Sequence, residues 1–174
     1  MALAAGPALS ERTDRDKPVT IESNSMIADE AKKLATFEGK VVLTQGSLII
    51  RAERIVIRQD SDGFQHGVAT GSPATFRHKR EGYGEYICGE ALKIEYDNKL
   101  DLVEFFNNAR LSRDSGDDIR GDYISYDARN ERFAVKSNTG TTGTNREGRV
   151  SATIMPKKPA APEAPVPAGA GPRC

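Results

Sequence analysis

Three acids, Glu53, Glu90 and Asp122, return at one position of a recurring strand pattern. Carboxylates repeated along one face could hold a metal ion or share acid–base work. A repeat also sets like residues at like strand entrances, where an acid meets solvent or backbone N–H groups. The second reading is preferred, because calcium-binding β-roll repeats carry a Gly-rich nonapeptide that this chain lacks. The histidines, His66 and His78, are isolated in polar stretches, with no Cys or His partner at zinc-ligand spacing. No Gly-x-Ser-x-Gly, P-loop or dinucleotide fingerprint is present. The expectation is no catalytic residue, no metal and no cofactor. Two basic sets remain: Arg77-His78-Lys79-Arg80 beside Phe76, and Arg51, Arg54 and Arg58. Such charges usually form a solvated face. They would also suit the phosphates of an anionic ligand at a groove rim.

The elements that position these residues recur. Phe37 to Leu43, then Arg51 to Ile57, returns as Phe105 to Leu111, then Arg120 to Tyr126. Phe105 follows Phe37 by 68 residues and Arg120 follows Arg51 by 69. A weaker middle copy runs through Ala74-Thr75-Phe76 and Gly89 to Ile94. Self-similarity of this kind marks stacked architectures, in which each unit buries its apolar face against its neighbours. Within the units, apolar residues alternate with polar ones: Val19 and Ile21; Phe37, Val41 and Leu43; Ile55 and Ile57; Leu92, Ile94 and Tyr96; Ile124 and Tyr126. Period two puts them on one side of a sheet. Val42 and Val56 break the alternation, so some outer positions are apolar too. Asp, Asn, Ser and Gly cluster at 60–63, 97–98, 115–118 and 128–131 and read as turns. Residues 28–35 fit a helical turn or a hairpin loop. The in-facing set would line either a continuous apolar trough or a dry sandwich core.

Lys plus Arg and Asp plus Glu number 25 each, so no basic excess points to nucleic acid. Hydrophobic residues make up 37% and there is no Trp, which suits a thin extended β-structure better than a thick globule. Residues 1–10 are small and apolar, like the tail of an export signal, with Ala8 and Ser10 placed for cleavage before Glu11. Residues 11–17 are polar and read as mobile. No run reaches the roughly 20 apolar residues of a membrane-spanning helix. Six of the nine prolines fall in 156–174, among Ala and Gly, and this tail is expected to be disordered. The division is therefore 1–17 leader, 18–155 β domain and 156–174 tail. Cys88 and Cys174 match no metal motif and no disulfide framework, and Cys88 reads as a small buried hydrophobe.

Residues 18–23 (Pro-Val-Thr-Ile-Glu-Ser), 37–46, 71–76 and 119–126, with Thr153-Ile154-Met155-Pro156 at the end, resemble the LptA (OstA-like) periplasmic lipopolysaccharide-transport proteins. The resemblance covers about residues 18–155. It implies an all-β fold: an elongated, twisted jelly roll of stacked antiparallel strands with an apolar interior. It implies a non-enzymatic periplasmic carrier of lipopolysaccharide, whose acyl chains lie in that interior. The lining set is Val19, Ile21, Phe37, Val41, Leu43, Ile55, Ile57, Phe76, Leu92, Ile94, Tyr96, Phe105, Leu111, Ile124 and Tyr126. The implied partners are an LptC-like inner-membrane protein at the N-terminal edge and an LptD-like outer-membrane protein at the C-terminal edge. The terminal strands, expected near 19–23 and 150–155, leave main-chain groups open to strand addition and to head-to-tail self-association. The alternatives are a structural β-solenoid and an OstA-type interaction module of another envelope assembly. Asn107 stands where the first copy has Gly39, so that turn is expected to differ.

Overall fold

The computed structural model describes residues 14–80, 84–137 and 149–156. They form a 3-10 turn at Asp14–Asp16 and ten strands. These are β1 Thr20–Glu22, β2 Ser25–Asp29, β3 Leu34–Gln45, β4 Leu48–Asp60, β5 Gly63–Lys79, β6 Tyr86–Asp97, β7 Leu102–Arg113, β8 Asp118–Asp127, β9 Arg132–Lys136 and β10 Ser151–Thr153. All pairings are antiparallel, and β3 to β8 run in sequence order. The sheet does not close. One edge carries β1 and β2, both on β3; the other carries β9 and β10, both on β8.

Short polar side chains make the turns, as the sequence predicts. Asp60 Oδ1 accepts from the Asp62 N–H, Asp97 Oδ1 from the N–H groups of Lys99 and Leu100, and Asp127 Oδ1 from Asn130 N–H. Such bonds fold the chain back without a backbone partner. Residues 28–35 resolve as the hairpin between β2 and β3 rather than as helix.

Each long strand is interrupted midway, and the interruptions line up across the sheet. In β4, β5, β6 and β8 the inward positions skip from Ala52 to Ile55, Gly71 to Ala74, Ala91 to Ile94 and Gly121 to Ile124. A three-residue step reverses parity, so alternation resumes on the other register. In β3 and β7 the break is two left-handed residues: Gly39 and Lys40 (φ 81° and 48°), and Asn107 and Asn108 (φ 66° and 53°). The turn at Asn107 therefore matches that at Gly39. Asn is one of the few residues with a side chain that visits this region readily.

The aligned breaks crease the sheet into two wings, and the wings fold onto each other. Phe76, on one wing, meets Phe105, on the other, edge-to-face at 5.6 Å between ring centres. Phe105 also lies over Gly89, where a Cβ would fall 2.3 Å from its ring. Only glycine lets the wings come this close. We call the wing holding β1, Phe76, Gly89 and β10 the far wing, and that holding β2, Ile94, Phe105 and β9 the near wing. Val42 and Val56 sit on the outer faces, half-buried, as their parity requires.

The crease also corrects the alignment of the repeats. Ala52-Glu53-Arg54-Ile55 and Gly121-Asp122-Tyr123-Ile124 correspond to Ala91-Leu92-Lys93-Ile94. Glu90 therefore has no place in the series, and Leu92 holds the position of Glu53 and Asp122. The acids do not converge: Glu90 faces Arg110, Asp122 accepts from Ser137, and Glu53 is exposed. Among the described residues no group of His, Cys, Asp and Glu could hold a metal ion.

Candidate functional site

Eleven of the fifteen expected interior residues are buried in one core: Val41, Leu43, Ile55, Ile57, Phe76, Ile94, Tyr96, Phe105, Leu111, Ile124 and Tyr126. Val19, Ile21 and Phe37 are half-buried and pack against it. Leu92 departs from the expectation and is 42% exposed. It falls within the β6 skip, so its side chain leaves on the outer face. Missing from the expected set are Leu48, Ile50, Ile87 and Val103, which are buried with the others. Leu48 and Ile50 share a face with Ile55 only once the skip in β4 is counted.

Toward the crease Phe105 packs directly on Phe76 and Gly89. At the opposite side, where the wings part, the core opens into a cavity of about 260 Å³. Leu48, Phe76, Tyr96, Val103, Tyr126 and Ala128 supply the apolar wall. Burial pushes the Tyr126 phenol up to about 12, so it stays neutral, and its ring stacks on Phe133 at 4.6 Å. A second, more open cleft lies at the N-terminal end between Lys17, Val19, Gln59, Phe64 and Lys99. Gln45 borders both.

The cavity rim carries two cation–carboxylate pairs and one histidine–carboxylate contact. His78 Nε2 lies 3.4 Å from Asp14 Oδ2, Arg129 Nη2 donates to Asp101 Oδ2 at 3.2 Å, and Arg80 Nη2 donates to Glu131 Oε2 at 2.9 Å. Arg80 Nη1 donates to Glu85 Oε2 at 2.7 Å. Burial alone would lower the Arg80 guanidinium; Glu85 and Glu131 reverse this and hold it above its usual range. The basic cluster at 77–80 is thus divided: Arg77 stacks on Tyr86 at 4.1 Å on the outer face, while His78 and Arg80 reach the rim. In the other basic set, Arg54 pairs with Glu38 at 3.1 Å.

Asp14 brings part of the expected mobile leader into the site. Its carboxylate accepts from the backbone N–H and the hydroxyl of Ser47, and from Lys17 Nζ at 3.0 Å. Gln45 Nε2 donates to the Lys17 carbonyl at 3.1 Å. Burial raises the Asp14 carboxyl, but Ser47 and Lys17 outweigh it and hold the group below its ordinary value. Residues 14–17 form a strap on the β3–β4 turn. Residues 1–13 and 157–174 lie outside the described residues. Cys88 is not a buried free thiol: it is half-exposed on the outer face and disulfide-bonded.

An apolar wall under a charged rim suits an amphiphile: a hydrocarbon chain inside, a polar head at the lip.

The sequence profile of the family described as "LptA/(LptD N-terminal domain) LPS transport protein" matches residues 20–132. A Haemophilus influenzae relative, the lipopolysaccharide export system protein LptA, is 32% identical over 91% of this chain and 88% of its own length. The lipopolysaccharide export system protein LptH of Pseudomonas aeruginosa is 27% identical, covering 91% of each chain. The crystal structure of LptH, described as the LptA-homologous periplasmic component of the lipopolysaccharide transport device, superimposes with a TM-score of 0.75 at 25% identity. That alignment covers 83% of this chain and all of the other. With that profile and those identities, the chain belongs to the LptA/LptD N-terminal domain family of lipopolysaccharide transport proteins.

Proposed function

We propose that this protein is a non-enzymatic periplasmic carrier that holds acyl chains of lipopolysaccharide between its wings during export to the outer membrane. The observation that carries the reading is the apolar cavity with a charged rim, set between two wings of an unclosed sheet. Burying a chain of roughly 12 carbons gains on the order of 10 kcal/mol, at about 0.8 kcal/mol per CH₂. At about 260 Å³ the cavity is below the roughly 300–1,000 Å³ of typical ligand pockets, so several chains require the wings to spread. A hinge along the crease allows this without breaking strand pairing.

The relatives are named for export.

The sheet edges carry the partner reading. β1 and β2 at one end, β9 and β10 at the other, are short strands with main-chain groups open to strand addition. Exposed Ile27 (72%) lies on the first edge and Ile154 (80%) beyond the last strand. An LptC-like inner-membrane protein would pair at the N-terminal edge and an LptD-like outer-membrane protein at the C-terminal edge. Copies of this chain would join head to tail by the same surfaces.

The test is site-specific photo-crosslinking in lipopolysaccharide-producing cells. A photo-reactive side chain at Phe76 or Tyr96 should label lipopolysaccharide, and one at the outward-facing Thr75 or Glu95 should not. Equal labelling of both sets would overturn the reading, since one residue along a strand changes the face.

A further inference from the structure

We infer that residues 14–17 are a lid inside the mouth, which an acyl chain displaces when it enters. The inference deepens the carrier reading and rests on it. Parity places the strap. Val41, Leu43 and Gln45 alternate inward on β3, and Phe76 and His78 do so on β5. The strap meets the inward-facing Gln45 and His78. Gln45 Nε2 donates to the Lys17 carbonyl at 3.1 Å, and His78 Nε2 lies 3.4 Å from Asp14 Oδ2. The strap therefore runs on the inner side of the far wing, within the mouth, rather than over the back of the sheet. It is also pressed flat. The β3–β4 connection turns at Gly46 (φ 60°), where a Cβ would collide with the Asp14 carboxylate and fall 2.9 Å from Lys17 Cδ. A hydrocarbon chain has no room to pass between lid and turn.

The lid stands where two hollows meet. Asp14 and Gln45 border the cavity; Lys17, Pro18 and Val19 border the N-terminal cleft, again with Gln45. With the lid in place the cavity is confined to about 260 Å³, and with the lid gone it runs on into the cleft. The lid is built to leave. Residues 14–16 form a single turn, closed by the Lys17 N–H on the Asp14 carbonyl at 3.0 Å, and residues 17–19 belong to no strand. It swings on Pro18 and Val19 without breaking a ladder. Lys17 Nζ pairs with Asp14 inside the lid, so that contact travels with it. The bonds given up to Ser47 and Gln45 are polar, and water replaces them; the entering chain gains apolar burial.

The experiment titrates the full chain with dodecyl maltoside below its micelle-forming concentration, by calorimetry, and follows backbone amide exchange by NMR. The Ser47 N–H reports on the lid, because it donates to Asp14 Oδ2 at 2.9 Å. It should exchange severalfold faster in the complex than in the free protein, while the amides of Ile55 and Phe105 keep their protection. Asp14→Ala should bind the maltoside severalfold more tightly than the native chain, since a closed lid no longer reduces the fraction able to bind. Should Asp14→Ala not fold, the Ser47 amide of the native chain decides the matter. A Ser47 amide as protected in the complex as in the free protein, or no gain in affinity for Asp14→Ala, overturns the lid while the carrier reading stands. If the maltoside binds neither chain, the carrier reading falls and the lid with it.

Discussion

The crease and the mouth of the folded sheet are built from the same alternation and end in opposite states. At the crease, Phe105 is fully buried, wedged over Gly89 and against the edge of Phe76. At the mouth, Leu48, Tyr96 and Tyr126 point inward by the same rule but border a cavity ringed by charge. Parity decides which side chains face in. It does not decide whether the space they face is filled. That depends on how far apart the wings stand, which small residues set at the crease and ion pairs set at the lips. A carrier needs both: a crease that holds the wings together, and a mouth that can exchange its contents.

Truncation should separate the two regions most sharply. Phe105→Ala should cost about 3–5 kcal/mol of stability, because the crease is packed too closely to collapse around the void. Leu48→Ala at the mouth should cost toward about 2 kcal/mol, since its side chain already borders open space. Denaturant unfolding of the two variants measures both, and equal losses would erase the distinction between crease and mouth.

The crease turn itself gives a smaller effect. Asn107→Val should destabilise by about 1–2 kcal/mol, because a β-branched residue is strained at positive φ, whereas Asn107→Gly should be near neutral. Equal stability of the two variants would show that the left-handed turn does not set the crease.

The smallest effect concerns the strap at the mouth. The Asp14 carboxyl is held below its ordinary value of 3.8, so its stabilisation is complete above that pH and is lost as pH falls through the lower folded value. The native chain should exceed Asp14→Asn in stability at neutral pH by under about 1 kcal/mol, and the gap should close in acid. A gap that persists at pH 2 would show that the strap is held by something other than the carboxylate charge.

Much of the fold was legible in the sequence, because the period of a strand and the chemistry of a turn are local. Phe37 to Leu43 and Phe105 to Leu111 announced the first and last repeats, and Asp60, Asp97 and Asp127 announced turns through bonds to backbone two or three residues away. Eight buried interior residues, Val41, Leu43, Ile55, Ile57, Ile94, Tyr96, Ile124 and Tyr126, followed from alternation alone. Leu92 did not. The skip from Ala91 to Ile94 takes its register from the strands on either side, and neither lies nearby in sequence. The rim was out of reach for the same reason. Arg80 and Glu131 stand 51 positions apart and Asp14 and Ser47 stand 33 apart, and no periodicity links them. Sequence determined the strands, their turns and the inward face, since steric preference and hydrophobic alternation act over a few residues. Only the folding of one wing onto the other decided which charges meet across the mouth, because that depends on distances fixed by the packing of Phe105 between them.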